Sequence, residues 1–317
     1  LAVSASGGVW PLLLGHGLLI GLLGSAGMLA PLTIYVSYWF DRRRGTALAL
    51  IQSGQYVAGA IWPALFERGV ATIGWRPTMV AFGALEIAAV VPAALLFLSR
   101  PPPEPARGPS GALADPSALP AIGVQPNTLL ALLSLASFLC CVPMAMPAGH
   151  LVAFCGDLGI APARGAAMLS LLLGAAFVSR QFWGWMADRI GWLRTVLATS
   201  ARQALAMTGF LLTRDEIGLF AVSAAFGLGF SGLIPAYVVA IREYFPASEA
   251  GWRVPTLLFF SMVGMAVGGW LAGAIYDRFG FYAPAFAAGI AANLANLVIV
   301  GSLVARQRRA ELRPALS

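Results

Sequence analysis

Residues 174–194 read Gly-Ala-Ala-Phe-Val-Ser-Arg-Gln-Phe-Trp-Gly-Trp-Met-Ala-Asp-Arg-Ile-Gly-Trp-Leu-Arg. Arg180 lies inside an otherwise apolar helical run. A charge at the centre of a membrane helix costs on the order of 3 kcal/mol, so such a residue is expected to face a cavity, a partner or a ligand. Eight residues on, Gly184-x-x-x-Asp188-Arg189-x-Gly191-x-x-Arg194 ends the run and turns the chain into the next one. Glycines and charges in this order predict a short cytoplasmic loop between two membrane helices.

Composition supports that reading. The chain has 317 residues, 59% hydrophobic and 10% charged, and a mean hydropathy of +0.81. A soluble domain carries about 25% charged residues. The net charge is +7, and every basic residue is arginine. The arginines cluster at the ends of apolar runs, which the positive-inside rule explains without nucleic acid as a partner. Cys140, Cys141 and Cys155 fall in or beside one apolar run and show no metal-ligand spacing, so they read as reduced packing residues. No metal cluster, catalytic triad or phosphate-cradling loop is legible, so neither an enzyme nor a cofactor is expected.

A spanning helix needs about 20 apolar residues. Nine such runs are predicted, at 12–39, 46–67, 77–99, 127–153, 165–187, 195–213, 217–241, 254–275 and 283–305. Between the third and fourth, residues 100–126 carry eight prolines and read as a solvated linker. One set of loops and ends holds thirteen arginines: Arg42, Arg43, Arg44, Arg100, Arg107, Arg189, Arg194, Arg242, Arg253, Arg306, Arg308, Arg309 and Arg313. The other set holds five: Arg68, Arg76, Arg164, Arg214 and Arg278. The arginine-rich side is expected to be cytoplasmic, with the linker and the C-terminus on it.

The chain also repeats itself. Gly24 to Phe40 aligns without gaps on Gly229 to Phe245, an offset of 205, and Gly59 falls on Gly264. One further residue of offset puts Gly74 on Gly280. The first three runs thus read as a copy of the last three, and parallel halves of this kind mark transporters. If both halves hold six helices, three precede this chain. The start at Leu1, with no charged leader before the first run, agrees with a piece of a longer protein.

With these residues in place, the chain resembles the major facilitator superfamily, helices four to twelve of twelve. The loop from Gly184 to Arg194 is similar to that family's loop motif in its second-half copy. Three stretches resemble the monocarboxylate transporter-like branch and its oxalate-exchanging relatives: Tyr38 to Leu48, Gly268 to Tyr282, and the Arg180 helix. The resemblance implies an all-α polytopic bundle of two pseudo-symmetric halves. The first is an incomplete half at 1–99. The linker at 100–126, a six-helix half at 127–305 and a cytoplasmic tail at 306–317 follow. It implies a secondary active transporter of small organic anions, carboxylates among them, a symporter or antiporter working by alternating access in a bacterial inner membrane. The co-substrate stays open between a proton and an exchanged anion. Two other readings stay open as well: a proton-coupled exporter of drugs or metabolites, and a truncated paralogue that does not transport.

In that branch an arginine on the matching helix binds substrate, which makes Arg180 the leading contact. The branch's proton-coupling aspartate one turn earlier is replaced here by Ala176. Tyr35, Tyr38, Gln52, Gln55 and His150 are polar positions on runs that the resemblance turns toward the path, and they complete the candidate set. The loop supplies the expected gate. Its residues are Gly184, Asp188, Arg189, Gly191 and Arg194, and Asp188 would bind a helix N-terminus or one of Arg42, Arg43 and Arg44. A local salt bridge of Asp188 with Arg189 or Arg194 is the plainer alternative. Glu86 and Arg202, also mid-run, read as structural charges. Asn293 and Asn296 read as helix–helix hydrogen bonds.

Overall fold

The computed structural model describes residues 9–15, 19, 44–98, 123–245 and 247–312. No strand occurs among them. The chain divides into two compact units, Leu1–Ser110 and Gly111–Ser317.

In the first unit, α1 (Val9–Leu14) is short, and α2 (Arg44–Ile73) and α3 (Trp75–Phe97) form a hairpin. The hairpin closes on Gly74, whose φ of 83° is a left-handed conformation that a side chain would strain. The two helices then approach closely. A Cβ on Gly69 would lie 2.8 Å from the Thr78 methyl, and Phe82 packs edge-on against Trp62 and Phe66.

The second unit holds α4 (Pro126–Asp157), α5 (Pro162–Ile190), α6 (Trp192–Leu212), α7 (Glu216–Phe230), α8 (Leu233–Tyr244), α9 (Ala247–Phe279) and α10 (Ala283–Leu312). α4 and α5 both open on a proline, which suits the first turn because its missing N–H has no intrahelical partner there. α9 lies along α4, with α10 against α4 and α6. The approach of α9 to α4 depends on glycine. A Cβ on Gly264 or Gly268 would fall 2.4 and 2.1 Å from the carbonyl oxygens of Phe138 and Val142. In a membrane, where lipid is as apolar as leucine, such backbone contact is a main source of helix association.

Among the described residues, six stretches are long and apolar enough to cross a membrane: Trp75–Phe97, Pro126–Asp157, Pro162–Ala187, Glu216–Ile241, Trp252–Phe279 and Ala283–Ala310. Two further predicted runs are the helices α2 and α6, which stand outside that set. Both carry charge: Arg44, Glu67 and Arg68 in α2, Arg194 and Arg202 in α6. The first predicted run, 12–39, lies almost wholly outside the described residues. The second unit's last hairpin, between α9 and α10, turns on Gly280 with φ 77°. That is the glycine the repeat aligns with Gly74, and both have a positive φ.

Candidate functional site

α5 presents one buried stripe. Ala176, Ser179, Arg180, Trp183 and Ala187 are all buried, at spacings that place them along one side of a helix. Arg180 is 5% exposed and is not a free charge. Ala176, one turn before it, is fully enclosed, so this stripe offers Arg180 no carboxylate of its own.

The stripe faces an interruption in the neighbouring span. The run from Glu216 to Ile241 divides into α7 and α8 at Ser231–Gly232. Pro235 explains the place: it has no N–H to give the Ser231 carbonyl, and its ring crowds that carbonyl. The Leu228 carbonyl, which the Gly232 N–H would meet in an unbroken helix, accepts from Trp183 Nε1 at 2.8 Å and from Ser179 Oγ at 2.8 Å. Ser179 and Ser231 hydroxyls are also 2.8 Å apart. In lipid an unmet carbonyl costs several kcal/mol, so α5 supplies the donors that make the break tolerable. Shape follows the same line. A Cβ on Gly232 would stand 2.6 Å from Trp183 Cβ, and one on Gly227 would stand 2.1 Å from the Leu172 carbonyl oxygen.

A second polar group lies deeper in the unit. Gln203 Nε2 donates to the Cys140 carbonyl at 3.2 Å, and Asn293 Nδ2 donates to Gln203 Oε1 at 2.8 Å. Ser200 Oγ donates to Asn293 Oδ1 at 2.7 Å, Asn296 Nδ2 donates to Ser200 Oγ, and the Tyr237 hydroxyl donates to Asn296 Oδ1 at 2.6 Å. All five side chains are fully buried. The chain of bonds ties α6, α10, α8 and α4 together, so Asn293 and Asn296 do join helices as the sequence suggested. The three cysteines are buried and unbridged.

The other expected site residues fall as follows. His150, half-buried near the end of α4, donates from Nε2 to the Gly269 carbonyl at 2.9 Å and accepts from the Tyr282 hydroxyl at 3.1 Å. Both ring nitrogens thus serve contacts with the α9–α10 region. The Tyr282 hydroxyl is pushed above its ordinary value of 10.0, first by burial and then by Asp157, Tyr276 and Asp277, so it stays a neutral donor. Gln55 is exposed on α2, and Glu86 is exposed on α3. Arg202 is exposed on α6, with its guanidinium 6.0 Å from the Trp183 ring centroid. Gly191 ends α5 with φ 83°, and the Arg189 guanidinium stacks 4.1 Å from the Trp185 ring centroid. Gly184 continues α5, and Arg194 lies in the first turn of α6 with a partner of its own. Tyr35, Tyr38, Arg42 and Arg43 lie outside the described residues, as do the side chains of Arg44, Gln52 and Asp188.

Reading the sequence found Arg180 by its charge but missed Ser179 and Trp183. The signal for them was their position one residue before and three after that charge, opposite a run carrying Gly232 and Pro235.

Comparison with known proteins agrees with this architecture. A sequence profile described as the Major Facilitator Superfamily matches residues 1–215 and 133–316. The MFS-type transporter pynF of Aspergillus niger is 27% identical over 84% of this chain and 60% of its own length. Monocarboxylate transporter 13 of Bos taurus is 24% identical over 84% of this chain and 62% of its own. The chain thus spans about 60% of the length of these curated relatives. Among solved structures, the transporter FucP in its outward conformation superposes with a TM-score of 0.59 at 12% identity, over 90% of this chain and 74% of that one.

Proposed function

The chain belongs to the major facilitator superfamily, and as an integral, multi-pass membrane protein of that family we propose that it is the greater part of a secondary active transporter for small organic anions, carboxylates first among them, working by alternating access. One observation carries the anion: Arg180, whose guanidinium is always charged, is only 5% exposed in the middle of an apolar span.

The chemistry follows from depth and shape. Arg180 lies eight residues before Asp188, about 12 Å along the helix at 1.5 Å per residue, which is near the midplane of a core about 30 Å thick. Transporter sites lie at that depth, where discontinuous helices leave backbone groups free. A guanidinium stays charged there, and its planar fork meets a carboxylate in two parallel hydrogen bonds. Ala176 leaves no proton acceptor one turn away, so exchange of one anion for another suits this stripe better than proton symport. Similarity to a protein named monocarboxylate transporter 13 supports the same substrate class. In this reading Gln52, Gln55, Tyr35 and His150 line the path, and the turn from Gly184 to Arg194 is the cytoplasmic gate, with Asp188 its charge. The arginine asymmetry of the loops supports a cytoplasmic C-terminus, and a bacterial inner membrane remains the proposed location.

The test is uptake and counterflow of radiolabelled lactate and oxalate by the full-length protein in proteoliposomes, with neutral solutes of similar size as controls. Saturable uptake of a carboxylate that other carboxylates inhibit is the expected result. Uptake of neutral solutes alone would overturn the anion reading.

A further inference from the structure

We propose that the first turn of α4, together with Arg253 of α9, is a binding site for a phosphate group at the membrane edge, the headgroup phosphate of a phospholipid before free phosphate from solution. The site is independent of Arg180 and of the organic-anion reading.

Three observations converge. The first is an arginine with a donor to spare. Arg253 is 3% exposed. Its guanidinium lies 4.2 Å from the Phe245 ring centroid and 4.4 Å from that of Trp252, and Nε donates to Glu249 Oε2 at 2.6 Å. Nη2 reaches Asn127 Oδ1 in a long contact of 3.4 Å. Nη1 is buried and meets no acceptor among the described residues. A buried donor left unmet costs free energy that an incoming oxygen would recover. The second is the helix end beside it. α4 starts at Pro126, which has no N–H, and the Leu129 N–H already bonds the Gln125 carbonyl. The N–H groups of Asn127 and Thr128 therefore have no partner within the helix, and the Gln125 side chain does not cap them. Both residues are exposed. A helix N-terminus carries partial positive charge and suits a phosphate. The third is depth. Asn127 meets Arg253, Phe138 meets Gly264 and Val142 meets Gly268, 126 residues apart each time, so α4 and α9 run parallel from the same end. Their apolar stretches begin at Pro126 and Trp252. Trp252 is 49% exposed, as suits an aromatic at a membrane–water interface. Lipid phosphates lie at that level, just outside a hydrocarbon core about 30 Å thick.

Glu249 offsets the charge of Arg253, so the site holds a phosphate by its donors and by the helix end more than by net charge. Arg253 Nη1 supplies one donor and the first turn of α4 supplies two, for separate oxygens of one tetrahedral group. Asn127, held only by its long contact, has to turn aside. A diacylglycerol with the same acyl chains offers these donors no anionic oxygen.

The experiment uses the full-length protein in detergent and phosphate-free buffer. Native mass spectrometry reads lipid binding, and thermal unfolding reads stability. The probes are dioleoylphosphatidylglycerol, dioleoylglycerol and inorganic phosphate. Wild type is expected to bind one phosphatidylglycerol about tenfold more tightly than dioleoylglycerol, the scale of one charge-assisted hydrogen bond. Asn127→Asp puts a carboxylate beside Arg253 and at the helix end, filling the site from within. It should abolish that preference and raise the unfolding temperature. Arg253→Gln should abolish the preference and lower the unfolding temperature; if it does not fold, Asn127→Asp decides. Stabilisation of wild type but not of Asn127→Asp by inorganic phosphate, with no preference between the lipids, supports the phosphate site and assigns its source to solution. Equal binding of the two lipids by wild type, with no effect of inorganic phosphate, would overturn the proposal. So would a phosphatidylglycerol preference that Asn127→Asp retains, which marks a general attraction of lipid phosphate to the arginines of that face.

Discussion

Two of the polar clusters inside the second unit differ in what holds them. In the Gln203–Asn293–Ser200–Asn296–Tyr237 chain, each side chain bonds the next, and Gln203 closes the end on the Cys140 carbonyl. It carries no charge and joins unbroken stretches of helix. At the α5 stripe, side chains serve a backbone carbonyl set free by a broken helix, and a buried arginine stands between them. The first cluster is neutral and ties four helices together. The second sets a buried guanidinium in the same helical turn as donors that serve a backbone carbonyl. Polar residues in the middle of membrane helices therefore have two separate uses, fixing helices together and holding a charge, and it is the charge that tells them apart.

The comparison breaks most sharply at the charge. Arg180→Gln removes a charge-assisted pair worth about 1.5–3 kcal/mol, so anion affinity should fall roughly 10- to 150-fold in binding assays while the unfolding temperature holds. The opposite pattern is expected in the other cluster. Asn296→Leu leaves the Tyr237 hydroxyl and Ser200 short of a partner, at about 1–2 kcal/mol given that such bonds in membranes are individually weak. Thermal unfolding in detergent should register that loss with affinity unchanged. If Asn296→Leu lowers affinity as much as Arg180→Gln does, the two clusters are not distinct. A smaller effect is expected at the loop. Asp188→Asn should shift the protein toward cytoplasm-accessible states by on the order of 1 kcal/mol, the scale of a helix-end charge. Cysteine labelling from the cytoplasmic side would rise, whereas an unchanged rate favours a local salt bridge. The smallest effect concerns Tyr282. Its raised folded pKa means that its contribution is complete below 10.0 and is lost as pH climbs through the higher folded value. Unfolding followed at alkaline pH should show that loss in the wild type and a flatter profile in Tyr282→Phe.

Much of the architecture was legible because a membrane demands long apolar runs. The run 127–153 became Pro126–Asp157, and 165–187 became Pro162–Ile190. The run ending at 305 continues as helix to Leu312, since Arg306, Arg308 and Arg309 extend it past the apolar stretch and hydropathy follows solvent, not hydrogen bonding. Hydropathy is blind to Ser231 and Gly232 for a related reason. Neither is polar enough to end a span, so the division of 217–241 into two helices left no trace in the apolar pattern. The proline three residues beyond Gly232 was the available sign. At the site, Arg180 was conspicuous because charge in an apolar run is costly. Trp183 and Ser179 were not, since a tryptophan and a serine are ordinary in such a run until a free carbonyl is found opposite them. His150 was conspicuous for its polarity as well, and the contacts its two nitrogens make with the α9–α10 region were not legible from the sequence.

The central claim, that Arg180 holds an anion through its planar fork, is tested most directly by equilibrium binding of radiolabelled oxalate to full-length wild type, Arg180→Lys and Arg180→Gln at one ionic strength. Lysine keeps the charge and loses the fork; glutamine loses both. The account predicts three separate affinities, wild type tightest, lysine intermediate and glutamine weakest, with folding intact in all three. Equal binding by wild type and a well-folded Arg180→Gln would contradict it.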